Sequence, residues 1–238
     1  MESTDREGPA VEAVIFDWGG TLTPWHTIDF KAEAEALARA VVDADRSASD
    51  RLLAAAGAVW ARSRDEHVSA TLTDIFAHAG LSHDEELLAS YREFWEPHTG
   101  TDADVPALFE SLHADGLRVG VLSNTVWPRE WHEDFFRRDG VLDLIHGAVY
   151  TSEVLWTKPA PEAFRAAMDA VGIADPGACV FVGDRLFEDI WGAANVGMRT
   201  ILVPHSEIPA EQLGHSVGEP DAVAHRLGDV RDIVARWG

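Results

Sequence analysis

The segment Val11–Phe16 (VEAVIF), followed directly by Asp17-Trp18-Gly19-Gly20, decides the fold of this chain. Its residues are mostly apolar and partly β-branched, and a short apolar run that ends at turn-forming residues indicates a buried strand of a parallel sheet. We therefore predict that Val11–Phe16 is the first strand and that the glycine-containing segment after it forms a tight loop.

Similar apolar runs recur along the chain, and helix-like segments separate them. They are Leu117–Leu122, Ala148–Thr151, Ala178–Val182, Thr200–Val203 and a brief edge strand around Asp221–Ala224 that precedes a closing helix. Strands that alternate with helices predict an α/β fold, in which a parallel sheet carries helices on both faces.

The pattern changes between the first and second predicted strands. Four Ala-rich, helix-like segments follow one another there without a strand between them: Ile28–Ala44, Ala48–Glu66, Leu72–Ala79 and Asp84–Trp95. Such a run predicts a small helical cap, residues 25–100, inserted after the first strand. Residues 1–24 and 101–238 would then form the core.

Length and composition are those of a globular protein. The 238 residues are 46% hydrophobic and 25% charged, which is enough for one α/β domain with a smaller appendage. Cys179 is the single cysteine, so neither a disulfide within the chain nor a cysteine zinc cluster can form.

Charge and hydropathy exclude several partners. The formal net charge of −22 repels polyanions, so we expect neither nucleic acid nor an anionic membrane as a partner. No run of about 18 apolar residues is present, and the first nine residues are polar and acidic, which predicts neither a membrane span nor a signal peptide. The expected location is the cytoplasm.

Polar residues follow each predicted strand, and ligands of open parallel sheets bind beyond the carboxyl ends of the strands. The residues at these ends are Asp17, Gly19, Gly20, Thr21, Ser123, Asn124, Lys158, Asp184, Glu188 and Asp189. Together they offer carboxylates, a hydroxyl, an amide and an ammonium group, which is the set that magnesium-assisted phosphoryl transfer to an aspartate requires.

The carboxylates suggest a magnesium site. Mg²⁺ prefers octahedral oxygen ligation, and the Asp17 carboxylate, the Gly19 carbonyl and Asp184 are the predicted protein ligands. Asp189 is predicted to anchor this site from behind. Asp17 is also the predicted nucleophile, which would attack the phosphoryl group in line.

The positive and neutral groups suggest a phosphate site. Thr21, Ser123, Asn124 and Lys158 are the predicted phosphate-binding residues, with Ser123 and Lys158 also counted as catalytic. Lys158 is notable because the chain contains 17 arginines and only one other lysine, Lys31.

Four motifs together resemble the haloacid dehalogenase superfamily. They are Phe16-Asp17-Trp18-Gly19-Gly20-Thr21, Leu122-Ser123-Asn124, Lys158-Pro159-Ala160-Pro161-Glu162-Ala163-Phe164 and Phe181-Val182-Gly183-Asp184 through Asp189. The resemblance spans nearly the whole chain. It implies a Rossmann-like core, a helical cap of the first class, a Mg²⁺ cofactor and an aspartyl-phosphate formed at Asp17.

The first motif departs from the family pattern at Gly19. Phosphatases of the superfamily carry a second aspartate at that position, where it protonates the leaving group and later activates water. A glycine still offers its backbone carbonyl to the metal but supplies no acid or base, and such a group contributes about 10²- to 10⁴-fold in rate. His26, just after the predicted hinge, is one possible substitute.

Several functions remain open from the sequence. The leading one is a phosphatase that acts on a small phosphorylated metabolite. The alternative of another class is a binding or regulatory protein that keeps the fold and lacks the acid. A phosphonate hydrolase would need a cap lysine, for which only Lys31 is available, and a dehalogenase would dispense with the magnesium that Asp184 and Asp189 favour.

Overall fold

A computed structural model describes residues 9–25, 28–40, 47–82, 85–204 and 215–238. The described residues form a six-stranded, fully parallel sheet in the order β3-β2-β1-β4-β5-β6. The strands are β1 (Ala13–Phe16), β2 (Arg118–Ser123), β3 (Gly147–Tyr150), β4 (Cys179–Gly183), β5 (Arg199–Leu202) and β6 (Ala222–Val223). The prediction of an α/β fold with a parallel sheet is confirmed.

The helices follow the predicted alternation. They are α1 (Phe30–Ala40), α2 (Ala48–Glu66), α3 (Leu72–His78), α4 (Glu85–Trp95), α5 (Val105–Ala114), α6 (Arg129–Arg138), α7 (Pro161–Val171), α8 (Gly192–Val196) and α9 (Asp229–Ala235). Residues 41–44 of the first predicted cap helix and Asp84 of the last lie outside the described residues. The predicted strand bounds are off by one or two residues, because the strands do not begin and end where the apolar runs do: β2 and β4 each continue one residue past the run, to Ser123 and Gly183.

The sheet has a packed layer on each face because successive side chains of a strand point to opposite sides. On one face, Val14 and Phe16 of β1 lie in a cluster with α5 residues such as Phe109. On the other face, Ala13 and Ile15 of β1 pack with the apolar side of α7. Both faces of β1 are thus buried, as expected for a central parallel strand.

Helices α1 to α4 lie between β1 and α5 in the chain and pack mainly on one another. Their apolar side chains, such as Leu52 and Phe76, are continuous with the cluster on the α5 face of the sheet. One apolar core therefore joins the four helices to the sheet.

The strand order brings the predicted site residues to one edge of the sheet. Phe16 at the end of β1 pairs with Val121 of β2 on one side and with Val182 of β4 on the other. The residues that follow these three positions therefore lie side by side at the carboxyl ends of the strands.

Membrane insertion through a helix finds no support in the described part of the chain, where no helix combines the length and the apolar character that a span requires.

Two glycines of this fold should respond oppositely to alanine. A Cβ at Gly147 of β3 would overlap the backbone carbonyl of Ala170 on α7, whereas one at Gly57, exposed on α2, meets nothing within 4 Å. We expect Gly147→Ala to lower the free energy of unfolding by about 1–3 kcal/mol, and Gly57→Ala to raise it by about 0.5–1 kcal/mol through helix propensity. Urea titration measures both, and equal changes would contradict this account of the α7–β3 packing.

Candidate active site

Three carboxylates meet at the carboxyl ends of β1 and β4. Asp17 directly follows β1, Asp184 directly follows β4, and Asp189 lies in the π-helical turn Leu186–Trp191. One oxygen from each of the three lies within 4.8 Å of the others. Asp189 is fully buried, and Asp17 and Asp184 are only 7% and 9% exposed, so the cluster concentrates negative charge away from water.

Lys158 is the cation at the centre of this cluster. Its Nζ donates to Asp17 Oδ1 at 2.5 Å and to Asp189 Oδ1 at 2.7 Å, and its side chain is 2% exposed. Burial alone lowers the pKa of Lys158, but Asp17 and Asp189 outweigh that effect and raise its pKa above the ordinary value. The lysine is therefore a fixed positive charge beside the predicted nucleophile.

The second carboxylate oxygen of Asp189 organises the loop that carries Asp184. Asp189 Oδ2 accepts hydrogen bonds from the backbone N–H groups of Asp184, at 3.1 Å, and Arg185, at 2.9 Å. A Cβ on Gly183 would overlap the Asp189 side chain, so only glycine fits there. Both oxygens of Asp189 are thus used within the protein, as expected for a residue behind the site.

Asp184 is left with no hydrogen-bond donor. Among the described residues, neither of its buried carboxylate oxygens accepts a hydrogen bond, and its nearest cation is the Arg185 guanidinium, whose Nε lies 3.7 Å from Oδ2. A buried ionised carboxylate without donors is costly, and such groups are normally paired or bound to a metal. The donor set of Asp17 and Asp184 therefore fits a divalent cation with oxygen ligands.

The same crowding shifts the acidity of the two carboxylates. Burial raises the pKa of Asp17 to about 6, although Lys158 acts in the opposite direction. Burial, followed by the charges of Asp17 and Asp189, raises the pKa of Asp184 well above its ordinary value. A cation placed between these groups would offset the repulsion that raises both pKa values.

The two glycines after Asp17 differ in what they tolerate. Gly20 has a φ of 93°, and a Cβ there would overlap the Asp184 carboxylate, so glycine is required at this position. Gly19 does not adopt a positive φ, and a Cβ there would meet no heavy atom within 4 Å. Among the described residues, position 19 therefore has room for a Cβ.

The predicted phosphate-binding residues lie at the same edge of the sheet. Ser123 ends β2 and is 2% exposed, and Thr21 is fully buried with a hydroxyl that has no hydrogen-bond partner among the described residues. Asn124 is different, because its side chain bonds to both backbone groups of Lys158: Nδ2 donates to the carbonyl at 3.0 Å, and Oδ1 accepts from the N–H at 2.8 Å. The Asn124 side chain thus holds the backbone of Lys158 in place.

His26, the possible substitute acid, lies outside the described residues.

Sequence reasoning also missed Arg185. Its guanidinium stacks over the ring of Trp25, 5.1 Å from the centroid, while its Nε approaches Asp184. The position of Arg185 directly after Gly183-Asp184 is a signal in the sequence, but the direction of a long side chain is not.

With this geometry in place, the comparison with known proteins is direct. The family model of the haloacid dehalogenase-like hydrolases matches residues 11–197. The matched range includes β1 to β4, the four helices after β1 and every residue of the carboxylate and lysine cluster. The chain belongs to the haloacid dehalogenase-like hydrolase family and is an enzyme of the hydrolase class, which confirms the resemblance.

Individual relatives span the chain at low identity. A glyceraldehyde 3-phosphate phosphatase of Methanopyrus kandleri is 25% identical over 230 residues, which cover 94% of this chain and 97% of the relative. Among solved structures, a HAD phosphatase from Thermococcus onnurineus has a TM-score of 0.66 at 23% identity, with 94% and 98% of the two chains covered. A 2-haloacid dehalogenase from Pseudomonas syringae pv. Tomato DC3000 has a TM-score of 0.64 at 25% identity, with 96% and 100% covered.

Replacing the carboxylate of Asp184 should weaken metal binding. We expect Asp184→Asn to lower the affinity for Mg²⁺ on the order of tenfold or more, because an amide oxygen replaces an anionic ligand. Isothermal titration calorimetry of the metal-free protein measures the affinity. The matched control is Asp115→Asn, which removes a surface carboxylate that pairs with Arg231, and a similar loss in that variant would contradict the assignment.

Metal affinity should also depend on pH. Because the pKa of Asp17 is raised to about 6, protons compete with Mg²⁺ as the pH falls through that value, and affinity is lost on the acid side. From Asp17 alone we expect about a fourfold weaker affinity at pH 5.5 than at pH 7.5. Calorimetry at the two pH values tests this, with circular dichroism to show that the fold is the same in both. An equal affinity at both would mean that Asp17 is not a ligand.

Proposed function

We propose that this protein is a magnesium-dependent phosphatase that acts on a small phosphorylated metabolite through an aspartyl-phosphate at Asp17. The observation that carries the proposal is the Asp17 carboxylate, held at 2.5 Å by the buried Nζ of Lys158 and placed beside the donor-free carboxylate of Asp184. A carboxylate fixed beside an ammonium group and a metal-binding oxygen set is suited to attack a phosphoryl group.

Asp17, the carbonyl of Gly19 and Asp184 would hold the metal in this proposal. Bound there, Mg²⁺ neutralises charge on the phosphoryl oxygens and orients them for in-line attack. Lys158 Nζ contacts one oxygen of Asp17 and leaves the other for attack on phosphorus. Asp189 keeps Lys158 and the Asp184 loop in place without contacting the substrate.

The transferred phosphoryl group would lie over the carboxyl ends of β1 and β2. The hydroxyls of Thr21 and Ser123 donate to its oxygens in this proposal, together with the ammonium group of Lys158. The unpartnered, buried Thr21 hydroxyl supports this role, since a buried hydroxyl without a partner is costly unless a ligand satisfies it. Asn124 contributes by fixing Lys158, and any direct contact with phosphate stays a prediction.

Residues 25–100 are proposed to form the cap over this site, with residues 1–24 and 101–238 as the core. The exposed fractions of Asp17, Ser123 and Lys158 are 7%, 2% and 3%, so a substrate can reach them only if the helices above the site move aside. When the cap closes again over the bound substrate, it excludes water from the reaction and strengthens the electrostatic interactions within the site.

The substrate class follows from size, charge and relatives. A net charge of −22 disfavours polyanions, whereas a small phosphate ester needs only the local positive charge of Lys158 and the metal. The relative from Methanopyrus kandleri carries the name of a phosphatase for a three-carbon sugar phosphate, which supports a small phosphorylated metabolite. A cytoplasmic location fits such a substrate.

The experiment is a panel of phosphate esters assayed with Mg²⁺ and with EDTA. We expect Mg²⁺-dependent release of phosphate, loss of at least about 10³-fold in kcat for Asp17→Asn, and acid-stable labelling of the wild type with ³²P from the substrate. Asp115→Asn is the control and should keep full activity. A protein that binds Mg²⁺ and hydrolyses no ester would instead be the binding or regulatory alternative, and phosphate release that survives EDTA would contradict the magnesium dependence.

A further inference from the structure

The open space at Gly19 raises the question of which group protonates the leaving oxygen. No side chain occupies that space in the described part of the protein, since a Cβ at Gly19 would meet no heavy atom within 4 Å. An acid can instead come from the part of the chain between β1 and α5, where residues 67–72 contact Val126 and the residues before Lys158. One residue there has an unusual conformation and an unusual environment.

His67, which follows α2, has a left-handed backbone. Its φ and ψ are 56° and 32°, and no other non-glycine residue in the described ranges has a positive φ. Its N–H donates to the carbonyl of Ser63 at 2.9 Å, and its own carbonyl accepts from the N–H of Thr157 at 3.0 Å. This is the left-handed C-cap that ends many helices, a position most often taken by glycine, and a residue other than glycine adopts it at a cost.

The segment of residues 67–69 is fastened to the residues directly before Lys158. Besides the bond from Thr157 to His67, Val68 forms an antiparallel bridge with Trp156, and the N–H of Ser69 donates to the carbonyl of Leu155 at 2.9 Å. The backbone of His67 is therefore bonded to Thr157, the residue directly before Lys158, whose Nζ contacts Asp17.

The ring of His67 lies near the π-helical turn Leu186–Trp191, which carries Asp189. Its centroid is 6.2 Å from that of Phe187, which stands between Asp184 and Asp189 in the chain. Its Nδ1 is buried and has no hydrogen-bond partner among the described residues. A buried nitrogen without a partner costs stability unless a ligand pairs with it, so packing alone explains the ring of this histidine poorly.

Two further side chains lie in this part of the protein. Asp65, on α2, interacts electrostatically with both His67 and His215, and His215 packs edge-on against Phe187 at 4.7 Å between centroids.

We propose that His67 is the general acid and base that replaces the missing aspartate at position 19. The proposal rests on the phosphatase function proposed above. As the Asp17 oxygen bonds to phosphorus and the bond from phosphorus to the leaving oxygen breaks, the protonated His67 ring gives its proton to that oxygen. In the second step, neutral His67 takes a proton from water as the water oxygen bonds to phosphorus, and the bond from phosphorus to Asp17 breaks to release inorganic phosphate.

The test compares an ester with a good leaving group, 4-nitrophenyl phosphate, with an alkyl ester, glycerol phosphate. His67→Asn and His67→Gly both tolerate the left-handed backbone, so thermal unfolding should show a Tm equal to or above that of the wild type. We expect kcat/KM for the alkyl ester, which reports the first step alone, to fall about 10²-fold or more, and kcat/KM for 4-nitrophenyl phosphate to change less than about threefold, because nitrophenolate needs no proton. Loss of the base in the second step should lower kcat for both esters toward one common value. His78→Asn, at an exposed histidine on α3, is the matched control and should change neither rate.

Rescue separates acid catalysis from substrate binding. Gly19→Asp added to His67→Asn should restore alkyl ester turnover at least about tenfold, since it returns a carboxyl group to the open space. The proposal is overturned if the His67 variants leave the ratio of the two kcat/KM values unchanged. If Gly19→Asp perturbs folding, the leaving-group ratio of the single variants decides alone.

Failure of the phosphatase function itself has a different signature. In that case the wild type shows no Mg²⁺-dependent hydrolysis of 4-nitrophenyl phosphate and no label at Asp17. A wild type that hydrolyses both esters, combined with an unchanged ratio in the His67 variants, rejects only the role of His67.

Discussion

Three buried carboxylates, of which two contact a single buried lysine, set the conditions for the rest of this structure. Taking ionised groups out of water is costly unless each finds a compensating charge or a set of donors. Lys158 satisfies one oxygen of Asp17 and one of Asp189, and backbone N–H groups satisfy the other oxygen of Asp189. Asp184 receives no donor among the described residues and has the Arg185 guanidinium 3.7 Å away, so a cation bound in the proposed function would compensate its charge. The stability of the loops and the chemistry of the site thus depend on the same interaction.

The fold meets this constraint through close approach of backbone and side chains. Parallel strands β1, β2 and β4 end at one edge of the sheet, which brings together residues that lie more than a hundred positions apart. Gly20 and Gly183 lack the Cβ atoms that would overlap the carboxylates of Asp184 and Asp189. Asn124 holds the backbone N–H and carbonyl of Lys158 through two hydrogen bonds. Each of these features positions a charged group and leaves its polar atoms directed into the site.

The helices between β1 and α5 are connected to the site by more than apolar packing. The N–H of Leu72 donates to the carbonyl of Val126 at 3.0 Å, and residues 67–69 run along residues 155–157. These contacts reach the loop after β2 and the segment before Lys158. A movement that separated residues 67–72 from Val126 and residues 155–157 would break backbone hydrogen bonds beside two predicted phosphate-binding regions. The strained backbone of His67 lies at this connection.

The sequence by itself determined the α/β class, the strands to within one or two residues, the helices after β1 and the residues that gather around Asp17. These follow from local rules: apolar runs form buried strands, and parallel strands place their ends at one edge. Only the tertiary structure decided how the polar atoms pair. It turned the Asn124 side chain toward the backbone of Lys158, left Asp184 without a donor, aimed Arg185 at Asp184 and Trp25, and gave Gly20 rather than Gly19 the positive φ. Such pairings depend on side-chain directions and on contacts between residues distant in the chain, and neither is encoded in the local pattern of apolar and polar residues.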